Sequence, residues 1–273
     1  VATQAVADDY ACQVNTLIGT KGTGLTSGYL YPGATYPYGM VQFTPSYFSK
    51  RSGFVINQLS GGGCEHMGNF PTFPVKGKLK MSPDNILNYR INISEEKGHA
   101  GYYEAMVQKD IKAKLTVTER TGMASYEYPA DQQYGTIIIG GGISATPIEQ
   151  AAIVITAPNK CEGYAEGGNF CGLRTPYKVY FVAEFDTDAL ETGTWKREEL
   201  MPNTTFAEGE YSGVYFTFDV NKKKNIQYKI GVSYVSVENA RENLKAENTE
   251  WDFQKIQNQA EAKWNHYLGM IEV

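Results

Sequence analysis

Between Gln58 and Asn69 the chain carries the residue types that a polar ligand needs. Gln58, Ser60, Cys64, Glu65, His66 and Asn69 offer amides, a hydroxyl, a thiol, a carboxylate and an imidazole. Three consecutive glycines, Gly61-Gly62-Gly63, stand in the middle of the segment, and Phe70, Pro71, Phe73 and Pro74 close it. Such a glycine run cannot hold a helix or a central strand, because glycine gives up the most backbone freedom on ordering. It belongs where the backbone turns oddly or lets another group come close. Here it delivers Cys64, Glu65, His66 and Asn69 to one place. The segment reads as the floor or lip of a binding site, or as a glycine-rich surface turn. The residues alone leave both readings open.

Other chemistries find less support. Gly140-Gly141-Gly142 is followed by no Lys-Ser/Thr pair and no helix signal, which argues against a phosphate loop. There is no Cys-x-x-Cys and no closely spaced histidine pair, and three histidines in all argue against a zinc site. No metal ligand and no cofactor is therefore assigned to this chain. Four cysteines leave the redox compartment open. Cys161 and Cys171 flank a glycine-rich, hairpin-like stretch and could close a short disulfide loop, while Cys12 and Cys64 are free thiols or a second bridge.

A length of 273 residues fits one large domain or two small ones, with ample chain for a core. The net charge of -5 argues against a nucleic-acid partner. Lys222-Lys223-Lys224 is most simply a solvated hairpin turn. No apolar run reaches the roughly 18 to 20 residues that span a bilayer. The chain opens on Val1 without a methionine, so the lack of a leader says nothing about export. Tyrosine is abundant, at 20 residues. Its flat apolar body and polar tip suit strands first and sugar surfaces second.

The elements that must position the glycine segment are strands. Ile111, Ala113, Leu115 and Val117 alternate with polar neighbours, as do Val179, Phe181, Ala183 and Phe185, then Val214, Phe216 and Phe218, then Ile226, Tyr228, Ile230 and Val232. One apolar and one mixed face per run, with glycine-rich joints, predicts an antiparallel β-sandwich in a mainly β chain. Thr118 and Arg120 share a face, where Arg120 is expected to bridge one sheet to the other through a carboxylate or carbonyl. The pattern changes at Ser236, a helix cap. Thr249 to Asp252 resembles a capping box, and Phe253, Ile256, Ala260, Trp264, Leu268 and Ile271 then recur at helical spacing, with Trp251 and Trp264 expected in the core. The expected organisation is a sandwich over residues 1–236 and a helical segment over 237–273.

Seven blocks, in order, resemble one known family. They are Val14-Asn15-Thr16-Leu17-Ile18-Gly19-Thr20, Tyr31-Pro32-Gly33-Ala34-Thr35-Tyr36-Pro37-Tyr38-Gly39-Met40-Val41-Gln42, Leu59-Ser60-Gly61-Gly62-Gly63-Cys64, Gly101-Tyr102-Tyr103, Thr118-Glu119-Arg120-Thr121-Gly122, Tyr180-Phe181-Val182-Ala183-Glu184-Phe185, and Val235-Ser236-Val237-Glu238-Asn239-Ala240. The chain resembles the N-terminal domain of glycoside hydrolase family 92, the calcium-dependent, inverting exo-α-mannosidases common in gut Bacteroidetes. The resemblance implies a β-sandwich packed, through a helical linker, on an (α/α)6 barrel that carries the general acid, the general base and the calcium ligands. On that reading the helix running to Val273 is the linker, and Ca2+ belongs to the full-length enzyme. This chain alone is expected to be inactive, and the protein periplasmic or secreted. Two departures stand out. Thr44 to Ser52 holds Tyr47 and Phe48 but no tryptophan, and Ile56, Asn57 and Gln58 stand where the family carries histidines. The α-1,2 specificity of the family is not implied here.

Inverting hydrolysis needs two carboxyl groups roughly 6.5 to 9.5 Å apart. No such pair stands out among 30 acidic residues, and Glu65 beside His66 need not aim at one centre. With the resemblance, Gln58, Ser60, Gly61, Gly62, Cys64, Glu65, His66 and Asn69 are assigned to binding a mannose-containing glycan or the loops of the barrel, since planar amides and carboxylates bridge neighbouring hydroxyls. The alternatives are a stand-alone carbohydrate-binding sandwich, and a purely structural sandwich whose exposed apolar face docks the rest of the enzyme.

Overall fold

The computed structural model describes residues 9–20, 30–46, 53–64, 66–84 and 92–271. In chain order the elements are α1 Tyr10–Gln13, β1 Ala34–Thr35, β2 Gln42–Pro45, β3 Phe54–Val55, β4 Thr72–Lys76, β5 Ile93–His99, β6 Tyr102–Val107, β7 Ile111–Val117, β8 Thr121–Glu127, β9 Tyr134–Gly140, β10 Ile148–Ala157, β11 Lys160–Phe170, β12 Leu173–Phe185, β13 Glu191–Lys196, β14 Glu199–Pro202, β15 Phe206–Glu208, β16 Ser212–Asp219, β17 Asn225–Ser233, α2 Val237–Glu247 and α3 Phe253–Leu268. Among the described residues the strands form two antiparallel sheets. One runs β1-β2-β3-β4-β9-β16-β13-β14, the other β15-β10-β11-β12-β17-β8-β7-β6-β5. The expected mainly β antiparallel sandwich is what the chain builds.

Period-two alternation decides which side chains meet between the sheets. Phe185 of β12 packs against Phe216 and Phe218 of β16, with ring centroids 4.8 and 5.1 Å apart. Phe54 of β3 stacks on Tyr126 of β8 at 6.2 Å, and Phe70 meets Phe181 of β12 at 4.2 Å. All of these rings are buried. Each buried large side chain contributes roughly 1.5–3 kcal/mol relative to exposure, so this aromatic layer holds the sheets face to face. Lys222 to Lys224 lie in the turn between β16 and β17, as expected, with Lys223 paired to Asp186 at 2.7 Å.

Both long helices dock closely over a glycine, α2 over Gly231 of β17 and α3 over Gly101 in the β5–β6 turn. A Cβ on Gly231 would lie 2.5 Å from the Ala240 carbonyl of α2, and one on Gly101 would lie 3.0 Å from the Ala260 Cβ of α3. Ser236 caps α2 by accepting from the Asn239 amide at 3.1 Å. The second cap differs from expectation. Asp252, not Thr249, is the N-cap of α3 and accepts from the Lys255 amide at 3.0 Å. Trp251 therefore stands outside the helix, with the Lys229 ammonium 4.0 Å over its ring. The apolar stripe of α3 is covered only at its start. Ile256 and Ala260 are buried, whereas Leu268 and Ile271 are exposed.

Arg120 bridges sheet to helix rather than sheet to sheet. It sits in the turn between β7 and β8 and pairs with Glu247 at the end of α2. That carboxylate also accepts from the Thr118 hydroxyl at 2.6 Å and the Arg120 amide at 2.9 Å.

The cysteine pairing expected from spacing is overturned. The disulfide joins Cys64 to Cys171, with Cα atoms 5.3 Å apart, and Cys161 is a buried free thiol. Cys161 lies at the start of the eleven-residue strand β11 and Cys171 follows its end. At about 3.3 Å per residue a strand of that length holds its two ends roughly 30 Å apart. Cys161 instead takes an inward position of the alternation, opposite Ala183.

Candidate functional site

β1, β2 and the chain after β3 border a groove of about 860 Å³. Its walls include Tyr31, Tyr36, Met40, Gln42, Asn57, Gln58, Ser60, Met67 and Tyr234, with Trp264 of α3 at one side. The Trp264 indole donates to the Thr35 carbonyl at 2.7 Å, which fixes α3 against β1. No Asp, Glu, Lys, Arg or His lines the groove among the described residues. A groove with no carboxylate cannot by itself supply the acid and base of glycoside hydrolysis. It also does not fit calcium, which takes six to eight oxygens with carboxylates among them.

The polar centre of the groove is built on Asn57. Its Oδ1 accepts from the backbone amides of Gly68 at 3.1 Å and Asn69 at 2.8 Å. Its Nδ2 donates to Asn69 Oδ1 at 3.0 Å and to the Tyr234 hydroxyl at 3.3 Å. Tyr177 donates to the same Asn69 oxygen at 2.9 Å. Met67 and Gly68 have φ of 57° and 79°, and this left-handed pair curls the loop so that the two amides meet one oxygen. One amide side chain thus serves as a template for the loop that follows the three glycines.

Gln58, the next residue, is 1 % exposed, and no protein group bonds either its Oε1 or its Nε2. A buried carboxamide without partners costs stability, so it calls for an explanation. It lies on the groove wall, as does the hydroxyl-bearing Tyr234. Burial pushes the Tyr234 phenol above its ordinary range, against the opposing pull of its bond from Asn57, and Tyr36 is raised by burial and then by Glu119 and Glu247. Both phenols hold their protons at neutral pH and can donate.

The sequence-assigned residues fall into distinct places. Gln58 and Ser60 line the groove. Gly61 and Gly62 are exposed, Gly61 at φ 72° and Gly62 with the Phe170 ring 3.3 Å from where its Cβ would stand. Cys64 spends its sulfur on the disulfide to Cys171. His66 is buried, with Nδ1 3.1 Å from the Asn169 carbonyl and its ring against Phe170 and Tyr177 at 5.2 and 5.6 Å. Asn69 is fully buried in the Asn57 network. Glu65, Tyr47 and Phe48 lie outside the described residues. Sequence reasoning missed Asn57, Tyr177, Tyr234 and Trp264 as groove builders. Their positions 57, 177, 234 and 264 show why: nothing local links them.

Ile18, Leu30, Met40 and Leu59 line the groove while remaining exposed, and Tyr38 and Val235 are 88 % and 74 % exposed. Residues 13–233 match the glycosyl hydrolase family 92 N-terminal domain. The chain belongs to glycosyl hydrolase family 92. This family 92 domain is 25% identical over 299 residues to an uncharacterized secreted glycosidase of Arthroderma benhamiae, covering 95% of this chain and 38% of that protein. Two solved structures share the fold. One is a family GH92 alpha-mannosidase from Bacteroides thetaiotaomicron, at 24% identity and a TM-score of 0.82 over 96% of this chain and 38% of that one. The other is a GH92 inverting mannosidase from the same organism, at 24% identity and a TM-score of 0.85 over 99% of this chain and 37% of that one. The family 92 domain thus spans under two fifths of the length of these relatives. Among its described residues no helix is long and apolar enough to cross a membrane.

Proposed function

We propose that this domain forms the leaving-group wall of the glycan site in an exo-acting α-mannosidase of family 92, and that the reacting carboxyls come from the remainder of the enzyme. The observation that carries the reading is Gln58: a carboxamide buried at the groove with both polar ends unmet. A carboxamide presents a donor and an acceptor side by side, the pattern that two adjacent sugar hydroxyls complete once ligand entry shifts the groups that cover Gln58. Ser60, Tyr36 and Tyr234 add hydroxyls along the same wall. The exposed apolar side chains Leu30, Met40, Leu59, Tyr38 and Val235 form the surface on which the rest of the enzyme docks, closing the groove and excluding water. Calcium, where the enzyme uses it, belongs to that other part. The secreted relative supports an exported protein.

The test uses the domain and one variant. Nuclear magnetic resonance titration with an α-linked mannobiose is expected to shift the Gln58 carboxamide and the Tyr234 and Ser60 signals, with millimolar affinity and no release of mannose. Gln58→Met keeps the side-chain volume and removes both unmet polar atoms. It should abolish the shifts while leaving stability equal or higher, by up to roughly 1–3 kcal/mol. Release of mannose by this domain alone would overturn the division of labour. Shifts that ignore Gln58, or persist in Gln58→Met, would remove the assigned wall. Sub-millimolar affinity would favour the stand-alone sugar-binding alternative.

A further inference from the structure

Cys12, His99 and Glu261 are remote in sequence, on α1, at the end of β5 and in the third turn of α3. The fold brings the Cys12 sulfur, a His99 ring nitrogen and a Glu261 carboxylate oxygen within 4.8 Å of one another. His99 Nε2 stands 2.7 Å from Glu261 Oε1. Local packing holds all three elements in register. The Ala11 amide donates to Asn265 Oδ1 at 2.7 Å, Asn265 Nδ2 donates to Asp9 Oδ1 at 3.1 Å, and the Ala100 amide donates to the Ala11 carbonyl at 3.3 Å. Gly101 lets α3 ride close enough on the β5–β6 turn to set Glu261 beside His99.

The surroundings orient each donor. The His99 ring stacks on Tyr102 with centroids 5.0 Å apart, and Gln257 Nε2 donates to Glu261 Oε1 at 2.7 Å. Outer partners of this kind hold metal ligands in place in known sites. Cys12 is exposed, which gives an ion a path in.

We propose that Cys12, His99 and Glu261 form a zinc site that staples α1 to α3 and to the end of β5. A thiolate, an imidazole and a carboxylate are the ligand types zinc accepts in a tetrahedral shell, while calcium and magnesium prefer oxygen alone. Three protein ligands leave a fourth position for water. Asp9 beside the cluster adds negative charge that a divalent cation offsets. On binding, a sulfur–zinc bond forms and the thiol proton passes to solvent. No step of the glycan chemistry involves this site, and none of its three ligands lines the groove.

Cobalt(II) reports on such a site, because a cobalt–thiolate bond gives a near-ultraviolet charge-transfer band and a tetrahedral shell gives strong visible bands. Titration of the metal-free chain with cobalt(II) is expected to produce both, saturating at one ion per chain and collapsing on addition of zinc. Cys12→Ser should remove the charge-transfer band, and His99→Gln or Glu261→Gln should weaken cobalt binding by about tenfold or more. Cys161→Ala, a core thiol change, should leave the band intact if the chain folds. Zinc should raise the melting temperature of the wild type and not of Cys12→Ser. A wild-type titration without a thiolate band at one equivalent overturns the proposal, whatever the variants do. So does a band that survives Cys12→Ser.

Discussion

Cys64 and Cys171 stand 107 residues apart in the chain, and their Cα atoms 5.3 Å apart in space, joined by a disulfide. The bond ties the end of the glycine segment to the turn between β11 and β12. The loop that carries Gln58 and Ser60 is thereby anchored to the nine-stranded sheet, although it leaves from the other one. His66 on Phe170 and Gly62 beneath the same ring make the contact continuous.

Removing that tie should cost stability through the longer unfolded loop it closes. The Cys64→Ser, Cys171→Ser double variant is expected to lose roughly 2–4 kcal/mol, read from urea midpoints without reductant. Peptide mapping under non-reducing conditions should recover residues 64 and 171 in one cross-linked fragment. A fragment linking Cys161 to Cys171 would contradict the structure.

Asn57→Ala should do more damage than its size suggests. It strips the shared acceptor from the amides of Gly68 and Asn69, both in buried residues. Each orphaned amide costs roughly 1–3 kcal/mol. Hydrogen exchange at those two amides should accelerate in the variant; unchanged protection there would show that another group holds the loop.

Glu247 should matter more than the arginine it meets. The Arg120 side chain is 40% exposed, so water screens the ion pair, whereas the Thr118 hydroxyl and the Arg120 amide also rely on the same carboxylate. Glu247→Ala is expected to lower stability by about 1–3 kcal/mol and Arg120→Ala by less than about 1 kcal/mol. Equal losses in thermal or urea melts would mean that the charge pair dominates.

Lys229 gives the fold a pH dependence of known sign. Burial is the main cause that pushes its ammonium down to about 8 from 10.5, against the opposing pull of Glu184, Asp186 and Glu250. It donates to the Asn248 carbonyl at 2.9 Å at the end of α2. Between pH 8 and 10.5 the unfolded chain keeps a proton that the folded chain has released, so this group adds stability as pH rises through that window. Below pH 8 both states are charged and the burial penalty is complete. The difference in urea midpoint between wild type and Lys229→Met, followed from pH 7 to 10.5, should trace that rise. A flat difference would mean the amine titrates normally.

The amino-acid sequence by itself determined the sandwich. Alternation such as Val179, Phe181, Ala183 and Phe185 is a local property with a period of two, and every one of those four side chains is buried. Ser236 was legible for the same reason, since a cap and its amide partner are three residues apart. The seven motif blocks carried the family, which the match over residues 13–233 shows. The cap of α3 was misplaced from Asp252 to Thr249 because both are good caps and only the backbone geometry chooses between them.

What joins distant parts of the chain was settled only by tertiary structure. Spacing favoured Cys161 with Cys171, but an extended strand lies between those two, and the partner of Cys171 arrives from the other sheet. Cys12, His99 and Glu261 come from α1, β5 and α3, and nothing local in the sequence shows that the fold brings them together. Gln58 could be named from its neighbours, but that it is buried at a groove without a partner depends on Tyr31, Tyr234 and Trp264, distant in sequence, lining that same groove. The physical reason is one of range. Hydrophobic period and capping act over a few residues and leave their mark in sequence, whereas cross-links, clusters and grooves depend on which strands pair, and that is decided by the packing of the whole chain.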